Sequence, residues 1–208
     1  SKANQILEII FDYNNKNELQ YLFFGNYAFD VDQIKDRQTL EEVKSSMKKE
    51  VSMIYSMYKP NMIIDIPPDK SVEANLQDML WGFKEKGENG KDKFIVPIFL
   101  NSPLFLTFSF NKNQNEEKSL TFQQTLSLFS LENGESKYSL TGFVITEKTK
   151  SYDPDIINSF FKHDGVWKWF DNGNIIRETE LKNLDFNFKT KSEKNTAFEV
   201  ELFYSRDE

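Results

Sequence analysis

The chain has 208 residues, 38% hydrophobic and 15% aromatic with 20 phenylalanines, and a net charge of −7. Aromatic surface on that scale must be buried, which argues against a disordered chain. The acidic balance makes the chain a poor candidate for general nucleic-acid binding, which needs a basic face to displace phosphate counterions, and none is expected.

The sequence holds no cysteine, so disulfides, thiolate zinc sites and a thiol nucleophile are excluded within these residues. No Asn-X-Ser/Thr sequon occurs, and no apolar run approaches the roughly 18 residues of a membrane span. The opening Ser-Lys-Ala-Asn-Gln has no signal-peptide pattern. The expectation is a soluble intracellular protein, nuclear or cytoplasmic, without membrane contact and suited to a partner with a basic surface or tail.

In chain order, Ala3–Tyr13 places Ile6, Leu7, Ile10 and Phe11 on one helical face. Glu18–Phe24 reads as a further helical turn closed by Gly25, and Tyr27–Asp32 alternates as a half-buried strand does. Thr39–Tyr58 reads as one long helix. Thr39 and Glu42 have the capping-box pattern, Pro60 is the stop, and Val43, Met47, Val51, Ile54 and Met57 or Tyr58 form a stripe toward the core. Met62–Ile66 is a short strand, and Ser71–Trp81 a short helix capped by Ser71 with Val72, Leu76, Met79 and Leu80 inward.

Lys84–Lys93 reads as a charged loop and Asn111–Lys118 as a polar one. Strands are expected at Phe94–Leu100, Leu104–Phe110, Leu126–Leu131, Tyr138–Thr146, Ile156–Lys162, Val166–Phe170 and Phe198–Tyr204. Glu132-Asn-Gly-Glu135 and His163-Asp-Gly165 have the chemistry of hairpin turns. The class is therefore α+β, a single domain over 1–208 with 1–60 mainly helical and 61–208 mainly sheet.

Few residues carry chemistry. His163, the single histidine, falls at a hairpin tip, where nothing would orient it as a base. Asp171-Asn-Gly-Asn174 lacks the later glutamate of a calcium loop and reads as a turn, as does Asp153-Pro-Asp155. Gly82, Gly87 and Gly90 are not followed by a phosphate-binding Gly-Lys-Ser/Thr. No cofactor or metal is expected. Trp167 and Trp169 are expected on opposite strand faces, one in the core and the other partly exposed or covered by a partner.

Several segments match a known family in order. They are Leu22-Phe-Phe-Gly25, Ile64-Asp-Ile-Pro67 with Ser71-Val-Glu-Ala-Asn-Leu76, and Pro103-Leu-Phe-Leu-Thr-Phe-Ser-Phe-Asn-Lys112. Tyr138-Ser-Leu-Thr-Gly-Phe-Val-Ile145, Trp167-Lys-Trp-Phe-Asp171 and Ala197–Tyr204 follow. Together they resemble the ubiquitin-specific proteases, in the C-terminal part of the catalytic domain. The resemblance implies a papain-like cysteine-protease type of fold, with N-terminal helices packed on an antiparallel β-sheet. At 208 residues the chain is short for that catalytic core, and a region preceding Ser1 is expected.

Three departures bear on activity. The family's nucleophilic cysteine lies in an N-terminal box that this chain does not contain. Aligning Trp167–Asp171 with the family's closing motif puts Asp155-Ile156-Ile157 at its Gly-His-Tyr, so Ile156 stands at the imidazole position and Asp171 at that of the orienting Asp/Asn. An aliphatic side chain can neither accept nor deliver a proton. The zinc-bearing segments of the family are matched by Asp32–Asp36 and Lys84–Lys93, which offer no soft metal ligand.

In the family, ubiquitin's C-terminal tail threads a channel beside these strands. Asp155, Ile156, Ile157, Trp167, Trp169 and Asp171 are accordingly the candidate binding residues, on an edge turned from polar to apolar. The reading is a catalytically inactive ubiquitin-specific-protease-like domain, an interaction or scaffold module in an intracellular complex. Its partners would be ubiquitin, a ubiquitin-like protein or, in preference, other subunits of that complex. Two alternatives stay open: an active deubiquitinase whose cysteine lies outside this chain, and an unrelated α+β adaptor.

Overall fold

The computed structural model describes residues 21–47, 57–59, 62–64, 72–113, 118–148, 155–171, 174–179, 186–188 and 197–208. They run β1 (Tyr21–Asp30), a 3-10 turn (Val31–Gln33), α1 (Arg37–Ser46), β2 (Met57–Lys59), β3 (Met62–Ile64), β4 (Val72–Asn75) and α2 (Leu76–Trp81). Strands then follow almost without interruption: β5 (Phe83–Lys86), β6 (Asp92–Phe99), β7 (Phe105–Lys112), β8 (Lys118–Phe122) and β9 (Thr125–Ser130). The chain continues with β10 (Gly134–Lys148), β11 (Ile156–His163), β12 (Val166–Asp171), β13 (Asn174–Thr179), β14 (Phe186–Phe188) and β15 (Ala197–Arg206).

Twelve of these strands form one sheet, and β14, β8 and β4 a second of three. The large sheet branches at β10. On one edge, its first residues pair with β9 (Ser139↔Thr125 nearest the branch) and its later ones with β11 (Gly142↔Phe161 onward). On the other edge, Tyr138–Lys148 pair with β15, which in turn pairs with β7. A bulge at Thr141 keeps the inward side chains in phase across the branch. Pairing is mainly antiparallel, but β3 runs parallel to β7 and β4 parallel to β8.

The main core lies on one face of β10 and its neighbours: Phe108, Phe110, Phe122, Leu128, Tyr138, Phe143, Trp167, Leu202 and Tyr204 are all buried. Alternating apolar residues along each strand put these side chains on a single face. Tyr138 and Tyr204 turn their hydroxyls to the carbonyls of Pro103 and Gln123. Burial raises both phenols above their ordinary range. A second cluster, Ile34, Leu40, Met47, Val96 and Ile98, seats α1 against β6.

Several expectations are corrected. Tyr21–Phe24 is strand, not a helical turn, because it pairs with β2 and β6. The long helix starts earlier and is shorter than expected. Asp36, not Thr39, is its N-cap, accepting from the Thr39 amide at 2.8 Å, and Thr39 answers from the third helical position. Of its expected stripe, Met47 is buried and Val43 packs against the second cluster, with the unexpected Leu40 and Lys44 buried on the same helix, while Met57–Lys59 are strand and 48–56 lie outside the described residues. Ser71, the expected cap, lies outside the described residues; β4 occupies Val72–Asn75, and the Asn75 side chain caps α2 by accepting from Gln77 and Asp78.

The charged segment at Lys84–Lys93 is a hairpin between β5 and β6. The helix expected at Ala3–Tyr13 lies outside the described residues. The described part of 1–60 is strand at both ends with one helix between, so it is not mainly helical. Local helical patterning in Tyr21–Phe24 and Val72–Asn75 was overridden by ladder partners that are distant in sequence.

Lys44 is fully buried on α1. Its ammonium donates to the Leu80 carbonyl at 3.2 Å and lies 4.8 Å from the Trp81 ring centroid and 5.9 Å from that of Phe129. Desolvation pulls its pKa from 10.5 to about 7, opposed by Glu41 and assisted by Arg37.

Two predictions follow from this packing. Between pH 7 and 10.5 the unfolded chain holds a proton on Lys44 that the folded chain has released, so stability rises with pH across that window and levels off on either side. Thermal unfolding at pH 7 and pH 9.5 should show this gain, and Lys44→Met should flatten it relative to the parent. Gly142 lies beneath Phe161: a Cβ there would sit 2.5 Å from Phe161 Cδ1 and 2.9 Å from the Phe160 carbonyl oxygen. Gly142→Ala should cost about 1–3 kcal/mol in chemical denaturation, because backbone as well as ring must move.

Candidate functional site

The candidate residues lie just before or on β11 and on β12, beside the far half of β10. Phe143, Phe160 and Trp169 are direct cross-strand neighbours on three successive strands. Their rings stack: Phe143 on Phe160 at 4.5 Å and 12°, Phe160 on Trp169 at 5.8 Å and 9°. Trp167 packs on the same Phe143, with centroids 6.0 Å apart. Both tryptophans therefore lie on the core face, and the expectation of opposite faces is corrected: residues two apart on a strand share a face. Trp167 is buried at 1% exposure, and Trp169, nearer the sheet end, is half-buried.

Beyond the stack the face turns polar and then aliphatic. The Trp169 indole donates to Asn158 Oδ1 at 2.9 Å. Asn158 stands opposite Asp171 in the register, and Ile156 lies two residues further toward the sheet end, opposite Glu147. Ile156 is 40% exposed, and Ile157 is 41%. Being consecutive in a strand, the two isoleucines point to opposite faces. Ile156 shares the face of Asn158 and Trp169, whereas Ile157 shares that of Phe161, which packs edge-on against Phe170. Asp155 sits just before the strand, tied to Lys148 at 3.1 Å.

The six predicted residues thus divide. Ile156 and Trp169 lie on one face toward one sheet end, with Asp171 at the register position opposite Asn158, while Asp155 precedes β11 in an ion pair; Trp167 belongs to the core, and Ile157 to the other face. Asn158 was missed, and a lone Asn in an apolar strand gives no sign that it will hold an indole. Chemically, this face can bury an aliphatic group and exchange hydrogen bonds, but Ile156 has no proton to move.

His163 offers no substitute. At about 3.3 Å per strand residue, the run from Ile156 to His163 spans roughly 23 Å. It ends β11 at a two-residue turn, Asp164 (φ 48) and Gly165 (φ 78), with both residues left-handed as a type I′ hairpin needs. Its Nε2 lies 3.2 Å from the exposed Asp164 carboxylate.

The segments matching the family's zinc-bearing region do not fit that metal. Ile34 fills the space with Leu40, Met47 and Val96, Asp30 is paired with Lys93, and Asp36 is spent on the N-terminus of α1. None is a thiolate or imidazole, the donors a structural zinc uses. No cluster of three or more His, Cys, Asp or Glu able to hold a metal occurs among the described residues. No helix among the described residues is long and apolar enough to cross a membrane.

No protein-family model matches the chain, and no curated protein matches its sequence. Solved structures do. The yeast SAGA deubiquitinating module with a mutant Sgf73 is similar over 97% of this chain and 45% of its own, at 14% identity and TM-score 0.52. The Pan2 pseudoubiquitin hydrolase–RNA exonuclease module of Saccharomyces cerevisiae, in complex with AAUUAA RNA, is similar over 99% of this chain. It is covered over 37% of its own length, at 10% identity and TM-score 0.51. The chain therefore spans less than half of either relative. At these identities the likeness shows the fold alone, and the fold is that of the ubiquitin-specific-protease-like domains, built here with far more strand than helix.

Proposed function

We propose that this chain is a catalytically inactive ubiquitin-specific-protease-like domain that works as an interaction module within an intracellular assembly. The observation that carries this reading is Ile156. It is a half-exposed aliphatic residue two positions from Asn158, the register partner of Asp171, and the resemblance aligns it with the family's imidazole. A cysteine brought by another segment would find no base there. The SAGA relative belongs to a multi-subunit module and the Pan2 relative is itself described as a pseudohydrolase, which supports the same reading.

The partner surface is the Ile156 face, which combines an exposed aliphatic group, the half-buried Trp169 and the polar Asn158. Completing the burial of one isoleucine contributes at most about 1.5–3 kcal/mol before association costs, so neighbouring contacts must share the binding. A subunit of the assembly suits such an edge better than ubiquitin, whose basic tail gains nothing from an aliphatic group.

Four measurements test the reading, two on catalysis and two on the partner surface. The full-length parent should form no adduct with a thiol-reactive ubiquitin probe and should not turn over a fluorogenic ubiquitin substrate above a heat-killed control. An adduct would revive the active enzyme with its cysteine elsewhere. A photo-cross-linking residue at position 156, in the native assembly, should capture a subunit, whereas the same residue at 157 should not. Ile156→Asp should release that subunit while changing unfolding stability by about 1 kcal/mol or less. Equal capture from both positions would remove the assignment to this face.

A further inference from the structure

A cleft of about 540 Å³ opens between α1, α2 and the β5–β6 hairpin, remote in the sheet from Ile156. Its volume is within the range of pockets that take a ligand or an anchoring side chain. The floor is apolar, with Ile34 and Leu40 buried and Trp81 and Phe94 half-buried. Gly82 keeps this floor flat: a Cβ on it would collide with the Phe94 ring.

The polar groups around the cleft fall into two sets. Asp36 is committed to capping α1, and Gln77 exchanges two hydrogen bonds of 2.8 Å with the Ser127 backbone. Arg37 lies 4.2 Å from the Trp81 ring centroid and is paired with Glu135 at 2.7 Å and Glu41 at 3.5 Å. Lys35, Lys84 and Asp78 are exposed and make no side-chain ion pair or hydrogen bond among the described residues. An apolar floor with two uncommitted ammonium groups at its rim, on a chain of net charge −7, is a local reversal of sign. Such a site is complementary to an apolar group carried between carboxylates.

We propose that this cleft docks an acidic segment of a partner protein, inserting one large apolar side chain onto Trp81 and Phe94 while flanking carboxylates pair with Lys35 and Lys84. Asp78 is the one lining carboxylate without a partner, so it opposes such a ligand. The two charge signs therefore predict opposite responses, which a merely structural role for these exposed residues does not.

The test uses the chain itself and a fluorescein-labelled peptide with one phenylalanine between two pairs of aspartates, followed by fluorescence anisotropy. Saturable binding is expected, weakened roughly tenfold or more by Lys35→Glu with Lys84→Glu, strengthened about two- to threefold by Asp78→Asn, and reduced by added salt. Peptides with serine for phenylalanine or lysine for aspartate should not bind. A circular-dichroism melt unchanged in the variants keeps the comparison valid, and the single variants serve if the double one fails to fold. Absence of saturable binding overturns the proposal, as does binding indifferent to all three substitutions. A concentration-dependent dimer of the chain that the lysine variants abolish overturns it in favour of a second copy as the occupant.

Discussion

The architecture depends on β10 being too long for any one neighbour. Gly134–Lys148 carries β9 and then β11 along one edge and β15 along the other, so three parts of the chain that are far apart in sequence meet on one strand. Branching of this kind needs the strand to change partners without losing its inward face. The bulge at Thr141 does that, its hydroxyl bonding the Phe203 carbonyl at 3.1 Å, and Gly142 next to it leaves room for Phe161 to lie across the strand. Tyr138 and Phe143, one on each side of the irregularity, both remain buried.

Positioning of the candidate edge is a consequence of that branch. β11 and β12 extend the sheet from the far half of β10, and the stack of Phe143, Phe160 and Trp169 runs across all three strands. Aromatic pairs of this kind add about 0.5–1.5 kcal/mol beyond their burial. They also set the height at which the strand ends stand. The indole bond to Asn158 closes the stack, and what lies beyond it, Ile156 opposite Glu147, is a half-exposed aliphatic edge on a rigid support.

The second centre of order lies between the two helices. Trp81 receives both Arg37 and Lys44 from α1, and Lys44 also reaches the Leu80 carbonyl near the end of α2. A buried lysine is a costly fastener, partly compensated by aromatic faces and one carbonyl. It explains how α1 can be polar over much of its length and still be held. The same arrangement leaves Lys35 and Lys84 facing solvent above an apolar floor.

Seven strands between Phe94 and Tyr204 were legible by themselves, because large apolar residues alternate between Asn-Gly, Asp-Gly and similar turns; β8, β13 and β14, which are shorter or more polar, were not expected. The absence of cysteine and the displacement of the single histidine to a turn were equally plain in the sequence. The fold of β4 was not, nor was that of Tyr21–Phe24: short segments with mixed signals took the conformation offered by β8, β2 and β6, partners set by the tertiary structure. Nor could the sequence say that Asn158 would hold Trp169, or that Lys44 would be buried beside two rings. Local pattern determines which residues face inward along one element. Which element they then face is decided only when distant strands choose their register, because a side chain's neighbours are set by the pairing and not by its own period.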